Sequence, residues 1–450
     1  MSVVDLLRET RARGEALALV DADRTWSYDE LDGAVDGRAR SLAKQGIDAG
    51  AVVAVTLQPD ASAVIEMLAL WRLRATAAPL NPKLTEVERA AAEATLGNAL
   101  GGAQAILWTS GTAGRPRGVA VGYDALRAST EAATERLGLR GDDVWLASLS
   151  PAHIGGLALI TRALLLGNAL VALGPFNAFR VRAALAGSGP GTMHGIGITH
   201  LSVVPTQLLR LLDAFGDAPP PASFRCALVG GSGTPRELLA RAHQAGWPIA
   251  LTYGLTEATS QVATAPPDLA RRKPGTVGAP LRGVELRVAD DGEVLVRGRT
   301  LASGYVGGDP GQFFDRDGWL HTGDLGYLDQ DGDLWVIGRR AERIVSGGVT
   351  VDAVEVEEAL RSHPDIADAC VVGMPDAEWG ERVAAWIEPA SGRMDLDEVD
   401  AHVRTRLSGA KVPRLYHVGS ALPRNINGKI DRRAVLEAFA SAGGGAPDTG

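Results

Sequence analysis

Leu107-Trp108-Thr109-Ser110-Gly111-Thr112-Ala113-Gly114-Arg115-Pro116-Arg117-Gly118 decides how the rest of the chain is read. The run Ala105 to Trp108 is short and apolar, the pattern of a buried strand, and it opens into a loop of Ser, Thr and Gly. Gly111, Gly114 and Gly118 permit positive φ and close backbone approach, so successive N–H groups can converge on an anion. The hydroxyls of Thr109, Ser110 and Thr112 add donors, and Arg115 and Arg117 add charge. By chemistry this is a phosphate cradle. It is not a Walker loop, because no Lys follows the glycines at the required spacing. Taken alone, a plain surface loop remains the alternative.

The chain of 450 residues has room for about two to four domains. Its 46% hydrophobic and 22% charged residues are ordinary for a globular protein. A net charge of −9 argues against a general nucleic-acid or membrane-surface role. Cys226 and Cys370 stand far apart, so neither a disulfide framework nor a zinc site is expected. Residues 1–13 carry charges throughout and show no signal peptide. The longest apolar stretch, Gly155 to Gly174, is interrupted by Arg162 and Asn168 and does not read as a membrane span. A cytoplasmic protein is expected.

Helical and strand patterns alternate around the loop. Asp29 to Lys44 has helical spacing with Ser27 as N-cap and Glu30 behind it. Ala51 to Leu57 reads as a strand, and Ala61 to Arg74 and Thr85 to Leu96 as helices. Beyond the loop come helix Tyr123 to Leu137, strand Val144 to Leu149, and the apolar helix Leu157 to Leu166. Strands Ala169 to Leu173, Leu201 to Val204 and Cys226 to Val229 then alternate with helices Pro205 to Phe215 and Arg236 to Ala245. This alternation predicts a parallel sheet with helices on its faces. A strand feeding Gly230-Gly231-Ser232 is where such a sheet usually places a ligand. After residue 275 the texture becomes short strands and tight turns, with Asp331-Gly332 as a hairpin signal before Leu334 to Ile337. A third unit follows, with helix Ala353 to Ser362, strands Ile366 to Gly373 and Arg382 to Ile387, and helix Leu396 to Leu407.

The loop does not stand alone. Tyr253-Gly254-Leu255-Thr256-Glu257, His321-Thr322-Gly323-Asp324, Gly338-Arg339, Ser346-Gly347-Gly348 and Asn427-Gly428-Lys429 follow it in order. In order and approximate spacing this set resembles the adenylate-forming superfamily of acyl-CoA synthetases, adenylation domains and luciferases. The resemblance covers nearly the whole chain. It implies an α/β fold: a large N-terminal domain of layered α/β sheets plus a small β-rich subdomain over 1–340. A small mobile C-terminal α+β domain would follow over 341–442, with a disordered tail at 443–450. The implied chemistry joins a carboxylate to the α-phosphate of ATP and passes the acyl-adenylate to a thiol, with ATP, Mg²⁺ and CoA as the small molecules. Positioning and charge stabilisation would dominate.

By that resemblance Thr109, Ser110, Gly111, Thr112, Gly114, Arg117 and Gly118 would hold the β- and γ-phosphates. Thr256 would meet the α-phosphate, and Glu257 would bind Mg²⁺ through a hard oxygen. Asp324 would accept from both ribose hydroxyls and Arg339 would add a ribose or phosphate contact. Gly230, Gly231 and Ser232 would floor the adenine, with Tyr253 and Gly254 beside the nucleotide. Lys429 would reach the carboxylate and α-phosphate on domain closure. Gly347 and Gly348 would then leave room for the pantetheine arm, and Ala341 would be the hinge. Plain alternatives stay open: a solvated carboxylate for Glu257, a turn residue for Asp324, a surface cation for Arg339, simple turns for the glycines. Ala113 and Arg117 depart from the usual Thr and Lys, and Ala341 from the usual Asp or Lys.

His153-Ile154-Gly155-Gly156 corresponds to the segment that walls the acyl pocket, with His153 at its mouth and Gly155 and Gly156 beside the substrate. Arg162 interrupts an apolar helix nine residues later. Ligases acting on o-succinylbenzoate, a diacid of menaquinone biosynthesis, carry an Arg there, which would pair the carboxylate that is not activated. A snorkelling surface charge is the alternative. Leu201 to Leu212 and Ser260-Gln261 also resemble that branch. The expected activity is therefore an acid–thiol ligase for o-succinylbenzoate. Another aryl or acyl carboxylate–CoA ligase, or an adenylation enzyme loading a carrier protein, are the other readings. No nucleic-acid or membrane partner is expected, and a homodimer is left open.

Overall fold

Ser27 starts the first long helix, Tyr28–Lys44, with a reciprocal cap. Its hydroxyl accepts from the Glu30 N–H, and the Glu30 carboxylate accepts from the Ser27 N–H. Two donors that the first turn would leave open are thereby satisfied. Thr85 and Glu88 repeat the device ahead of Glu86–Leu96. The structure, a computed structural model, describes residues 2–9, 13–97, 102–109, 117–188, 195–308, 313–376, 378–391, 394–407, 409–425 and 428–442.

Two sheets flank the main core. One runs Gly304–Tyr305, Arg117–Val121, Ala105–Thr109, Thr76–Leu80 and Val52–Thr56. The other has eight strands in the order Ser260–Ala265, Ile249–Leu255, Cys226–Val229, His200–Val203, Val144–Ala147, Ala169–Ala172, Leu17–Val20 and Thr25–Ser27. Its six inner strands are parallel, as the alternation predicts. Its two edges are not: Thr25–Ser27 and Ser260–Ala265 turn back antiparallel. A connection as short as Thr256–Thr259 cannot make the crossover that a parallel neighbour needs. Thr76–Leu80 was missing from the sequence reading because Thr-Ala-Ala-Pro-Leu, though fully buried, carries no alternating pattern. Trp71, Trp145, Met67 and Leu68 fill the core with at most 0% exposure each.

The chain from 284 to 339 forms a four-stranded antiparallel sheet, Val284–Val288, Glu293–Gly298, Leu320–Leu328 and Leu334–Arg339. Its last hairpin turns at the expected Asp331-Gly332, with Gly332 at φ +79°. Beside that turn Lys273 donates to Asp329 (3.1 Å), Asp333 (2.7 Å) and Asp331. After residue 342 a further sheet carries Val349–Asp352, Arg343–Ser346, Gly380–Pro389, Ile366–Asp376 and Leu415–Val418. Helices Ala353–Arg361, Leu396–Arg404 and Arg432–Ala442 accompany these strands, and Val351, Val356, Leu360, Val371 and Val383 form their shared core. No helix among the described residues is long and apolar enough to cross a membrane.

Candidate active site

The parallel strands of the large sheet end side by side, and their C-terminal ends deliver Ser148, Val204, Gly230 and Thr256 to one edge. Ile249–Leu255 runs out there into a single tight turn, Thr256–Ala258, and reverses through Thr259 (φ +51°) and Ser260 (φ +90°). Gly254 is imposed by this reversal, since a Cβ would lie 1.8 Å from the Ser260 carbonyl oxygen. Gly230 is imposed likewise, because its Cβ would come within 2.6 Å of Thr252 Cγ2. Gly231 (φ +86°) and Ser232 continue the exposed turn above it.

Tyr253, separated in sequence from the β-rich sheet by the strand Ser260–Ala265 and the helix Pro267–Arg272, meets it in space. Its hydroxyl donates to Asp324 Oδ2 at 2.7 Å. Arg339 Nε stands 3.0 Å from Asp324 Oδ1, and the two residues are register partners on neighbouring strands. Burial and the Asp324 carboxylate hold the Tyr253 phenol well above its ordinary range, so it stays a donor. Lys429 approaches the same pair from the C-terminal sheet, on a turn closed by Asn425 Oδ1 accepting from the Lys429 N–H. Solvent reaches Lys429, yet the cleft around it lowers its pKa. Desolvation leads, Arg339 adds repulsion, and Asp324 partly offsets both.

Glu257 accepts from Tyr305 Oη at 3.2 Å. Burial, then the Glu257 charge, push the Tyr305 phenol up to about 12. The Arg117 guanidinium lies 5.2 Å from the centre of the Tyr305 ring. Tyr305 thus joins Glu257 to the return strand of the phosphate loop. Gly118 sits tightly there, with a Cβ position 3.1 Å from Ile106 and Val306. Of the remaining loop residues Thr109 ends its strand, while Ser110, Gly111, Thr112 and Gly114 lie outside the described residues.

The acyl-side residues gather at and along the helix Ile154–Leu166. His153 is the N-cap of Ile154–Leu166 and its Nε2 lies 3.3 Å from Asn81 Nδ2. Gly155 and Gly156 are closely packed: their Cβ atoms would fall 2.9 Å from Leu149 Cδ1 and 2.2 Å from the Ser150 carbonyl oxygen. Arg162 is 2% exposed, so it does not snorkel. Its guanidinium lies 5.2 Å from the Trp145 ring and interacts with His200 and Cys226. Trp145, His200 and Cys226 stand at or next to the starts of their strands, whereas Gly230 follows the end of Cys226–Val229. Among the described residues Arg162 makes no hydrogen bond or carboxylate pair, and burial pushes its pKa down to about 10. Asp143 is engaged by Arg225 and Thr199 instead.

On the thiol side the two glycines differ. Gly347 (φ +59°) is filled, since a Cβ would lie 2.6 Å from Trp379 Cε3, whereas Gly348 (φ +79°) faces open space. Ala341 is exposed in the turn Arg340–Glu342. Arg340 pairs with Asp291 and Glu293 on one side of it, and Glu342 with Arg432 (3.2 Å) on the other.

The family model for AMP-binding enzymes matches residues 6–96 and 103–306, and that for their C-terminal domain matches 355–429. The chain belongs to the AMP-binding enzyme family. A 2-succinylbenzoate–CoA ligase of Bacillus anthracis (strain A0248) is 38% identical over 345 residues, 74% of this chain and 70% of the relative. That of Bacillus mycoides (strain KBAB4) is also 38% identical. Among solved structures, o-succinylbenzoate CoA synthetase from Bacillus subtilis, in complex with its acyl-adenylate intermediate, superposes with a TM-score of 0.88 at 28% identity. That match covers 97% of this chain and 98% of the other. The same enzyme with ATP and magnesium ion gives a TM-score of 0.86.

For an AMP-binding enzyme, the residues that sequence reasoning missed are Tyr305 and Trp379. Both act on motif residues far away in sequence, Tyr305 on Glu257 and Trp379 on Gly347. Tyr305 also packs edge-on against Phe313, ring centroids 4.9 Å apart.

Proposed function

We propose that this AMP-binding enzyme is an ATP-dependent carboxylate–CoA ligase that acts through an acyl-adenylate, with o-succinylbenzoate as the carboxylate. The observation that carries the ligase chemistry is the meeting of Tyr253, Asp324, Arg339 and Lys429 from separate segments. Asp324, oriented by Tyr253 and Arg339, would accept from the ribose hydroxyls. Lys429 would stabilise the charge that develops as the carboxylate oxygen attacks the α-phosphorus and pyrophosphate leaves. Glu257, oriented by Tyr305, offers the hard oxygen that suits Mg²⁺, which when bound would screen the triphosphate charge. Arg117 would add charge at the loop's end.

The buried, carboxylate-free Arg162 favours a diacid. An isolated interior cation is costly unless something pairs it, and a second substrate carboxylate would do so. Curated relatives with this substrate in their names support the same choice. Adenylation needs MgATP and the thioester-forming step needs CoA, both of which the cytoplasm supplies.

The test is to incubate the protein with MgATP, CoA and either o-succinylbenzoate or benzoate, following pyrophosphate, AMP and thioester. Pyrophosphate release only with the diacid, and thioester only when CoA is added, is the expected result. Preference for the monocarboxylate would remove the o-succinylbenzoate assignment. Pyrophosphate release without any thioester would remove the CoA ligase.

A further inference from the structure

Asp324 stands where its strand is not held by regular pairing. Leu320–Leu328 meets Glu293–Gly298 at Leu325 opposite Glu293 and again at His321 opposite Leu295. One strand advances four residues there while its neighbour advances two, and the excess lies in Thr322-Gly323-Asp324. Gly323 takes the turn at φ +70°. Side chains replace the ladder bonds that such an excursion forfeits. Thr322 Oγ1 donates to the Val294 carbonyl (2.7 Å) and accepts from the Asp324 N–H (3.0 Å). Glu293 Oε1 accepts from the Gly323 N–H (2.9 Å).

Glu293 is buried, and His321 holds its other oxygen. His321 Nδ1 lies 2.9 Å from Glu293 Oε2, and its Nε2 lies 3.4 Å from Asp315 Oδ2. Each ring nitrogen thus faces a carboxylate, which when ionised only accepts. A neutral imidazole has one N–H and one lone pair, so it satisfies one carboxylate and repels the other. The imidazolium satisfies both. The hydrogen bond to Glu293 leads in raising the His321 pKa, desolvation opposes it, and Asp315 adds to the rise. The other charges nearby are already engaged. Arg340 reaches Glu293 Oε2 (3.3 Å) but divides itself with Asp291. Arg297 pairs with Glu285, donates to the Asp317 carbonyl (3.3 Å) and feels the Asp315 and Asp317 charges. Arg287 stacks on Trp319, 4.4 Å from the ring centre.

We infer that His321 is a positioning residue for the nucleoside: as an imidazolium bridging Glu293 and Asp315 it keeps the 322–324 excursion in shape, so the grip of Asp324 on ribose follows its charge. The inference rests on the reading of Asp324 as the ribose acceptor and adds what sets that residue's geometry.

The test measures binding of adenosine and of 2′,3′-dideoxyadenosine by calorimetry between about pH 6 and about pH 9. Adenosine carries the ribose hydroxyls without phosphates, so the phosphate loop does not contribute. His321 loses its proton as pH rises through its raised pKa, so wild-type affinity for adenosine falls on the alkaline side. The fall is about threefold, because the ring is half-exposed and its ion pairs are screened. Dideoxyadenosine shows no such fall, which also controls for folding. His321→Arg, charged throughout, abolishes the fall, and any alkaline drift due to Lys429 persists in it. His321→Gln binds adenosine about threefold more weakly than wild type at the acid end, with a flat profile. A fall of the same size in His321→Arg, or none in the wild type, overturns the inference. A wild type that does not distinguish the two nucleosides at any pH overturns the ribose reading of Asp324 instead.

Discussion

The Tyr253 hydroxyl donates a hydrogen bond to Asp324 Oδ2 at 2.7 Å, across 71 residues of sequence and between two different sheets. The bond is buried, and Asp324 receives a second clamp from Arg339 at 3.0 Å. Both carboxylate oxygens are therefore oriented before any nucleotide arrives. Pre-orientation of this kind lowers the ordering cost of binding.

Tyr253→Phe removes one charge-assisted hydrogen bond and leaves a buried carboxylate oxygen unmet. A loss of about 1.5–3 kcal/mol follows for such a bond, hence roughly a 10- to 150-fold higher KM for ATP. Pyrophosphate-exchange kinetics at varied ATP measure it. An unchanged KM would show that Asp324 does not hold the nucleotide.

Lys429→Ala abolishes adenylation and spares thioesterification of a pre-formed acyl-adenylate, because the ammonium is needed where α-phosphate charge develops. Equal loss in both half-reactions contradicts that role. The pH arm follows from the lowered pKa. The active form is protonated, so adenylation declines on the alkaline side at a lower pH than an ordinary lysine would give. Lys429→Arg, always charged, moves that decline to higher pH.

Arg162→Ala lowers kcat/KM for o-succinylbenzoate by about 30- to 5,000-fold, the cost of about 2–5 kcal/mol for breaking a desolvated pair. KM for ATP and turnover of a monocarboxylate analogue stay the same. Arg162→Met adds a stability readout. The folded protein holds this cation with a pKa pushed down to about 10, so its burial opposes folding throughout the range below pH 10. The strain is relieved as pH rises from about 10 towards the ordinary value of about 12.5. At pH 7 Arg162→Met should therefore melt above the wild type while losing the diacid. Equal loss of both acids, or a lower Tm in Arg162→Met, argues for a purely structural arginine.

Gly348→Leu blocks the thiol's approach and leaves adenylation intact. Its φ of +79° disfavours any side chain, so Gly348→Ala is the control for backbone strain alone. Ligation that falls equally in both variants assigns the effect to strain, and pyrophosphate exchange that falls with it removes the passage.

Much of this was legible in the sequence where function imposes backbone geometry. Gly230 and Gly254 stood in motifs, and the structure gives each a steric cause. Ser27 and Glu30 announced their helix through the spacing of a cap. Partners across space left no such trace. Tyr305 lies 48 residues from Glu257, with nothing in its neighbours to point there. The close packing at Gly155 and Gly156 was not legible, because a glycine that admits a neighbouring side chain or backbone reads the same as one that admits a ligand. Arg162 was conspicuous as a charge in an apolar helix. Its depth, however, depends on which strands that helix covers, and only the tertiary fold supplies this.

Lys273 has one more consequence. Asp329, Asp331 and Asp333 offer their oxygens to one point, the arrangement a divalent ion would favour, and a tethered ammonium occupies it. An ion held there would leave or arrive with its free concentration, and the turn's order would follow. A counter-charge written into the chain does neither. The hairpin leading to Arg339 is therefore insulated from swings in free magnesium, and a chelator that starves catalysis should leave this corner of the fold as it was.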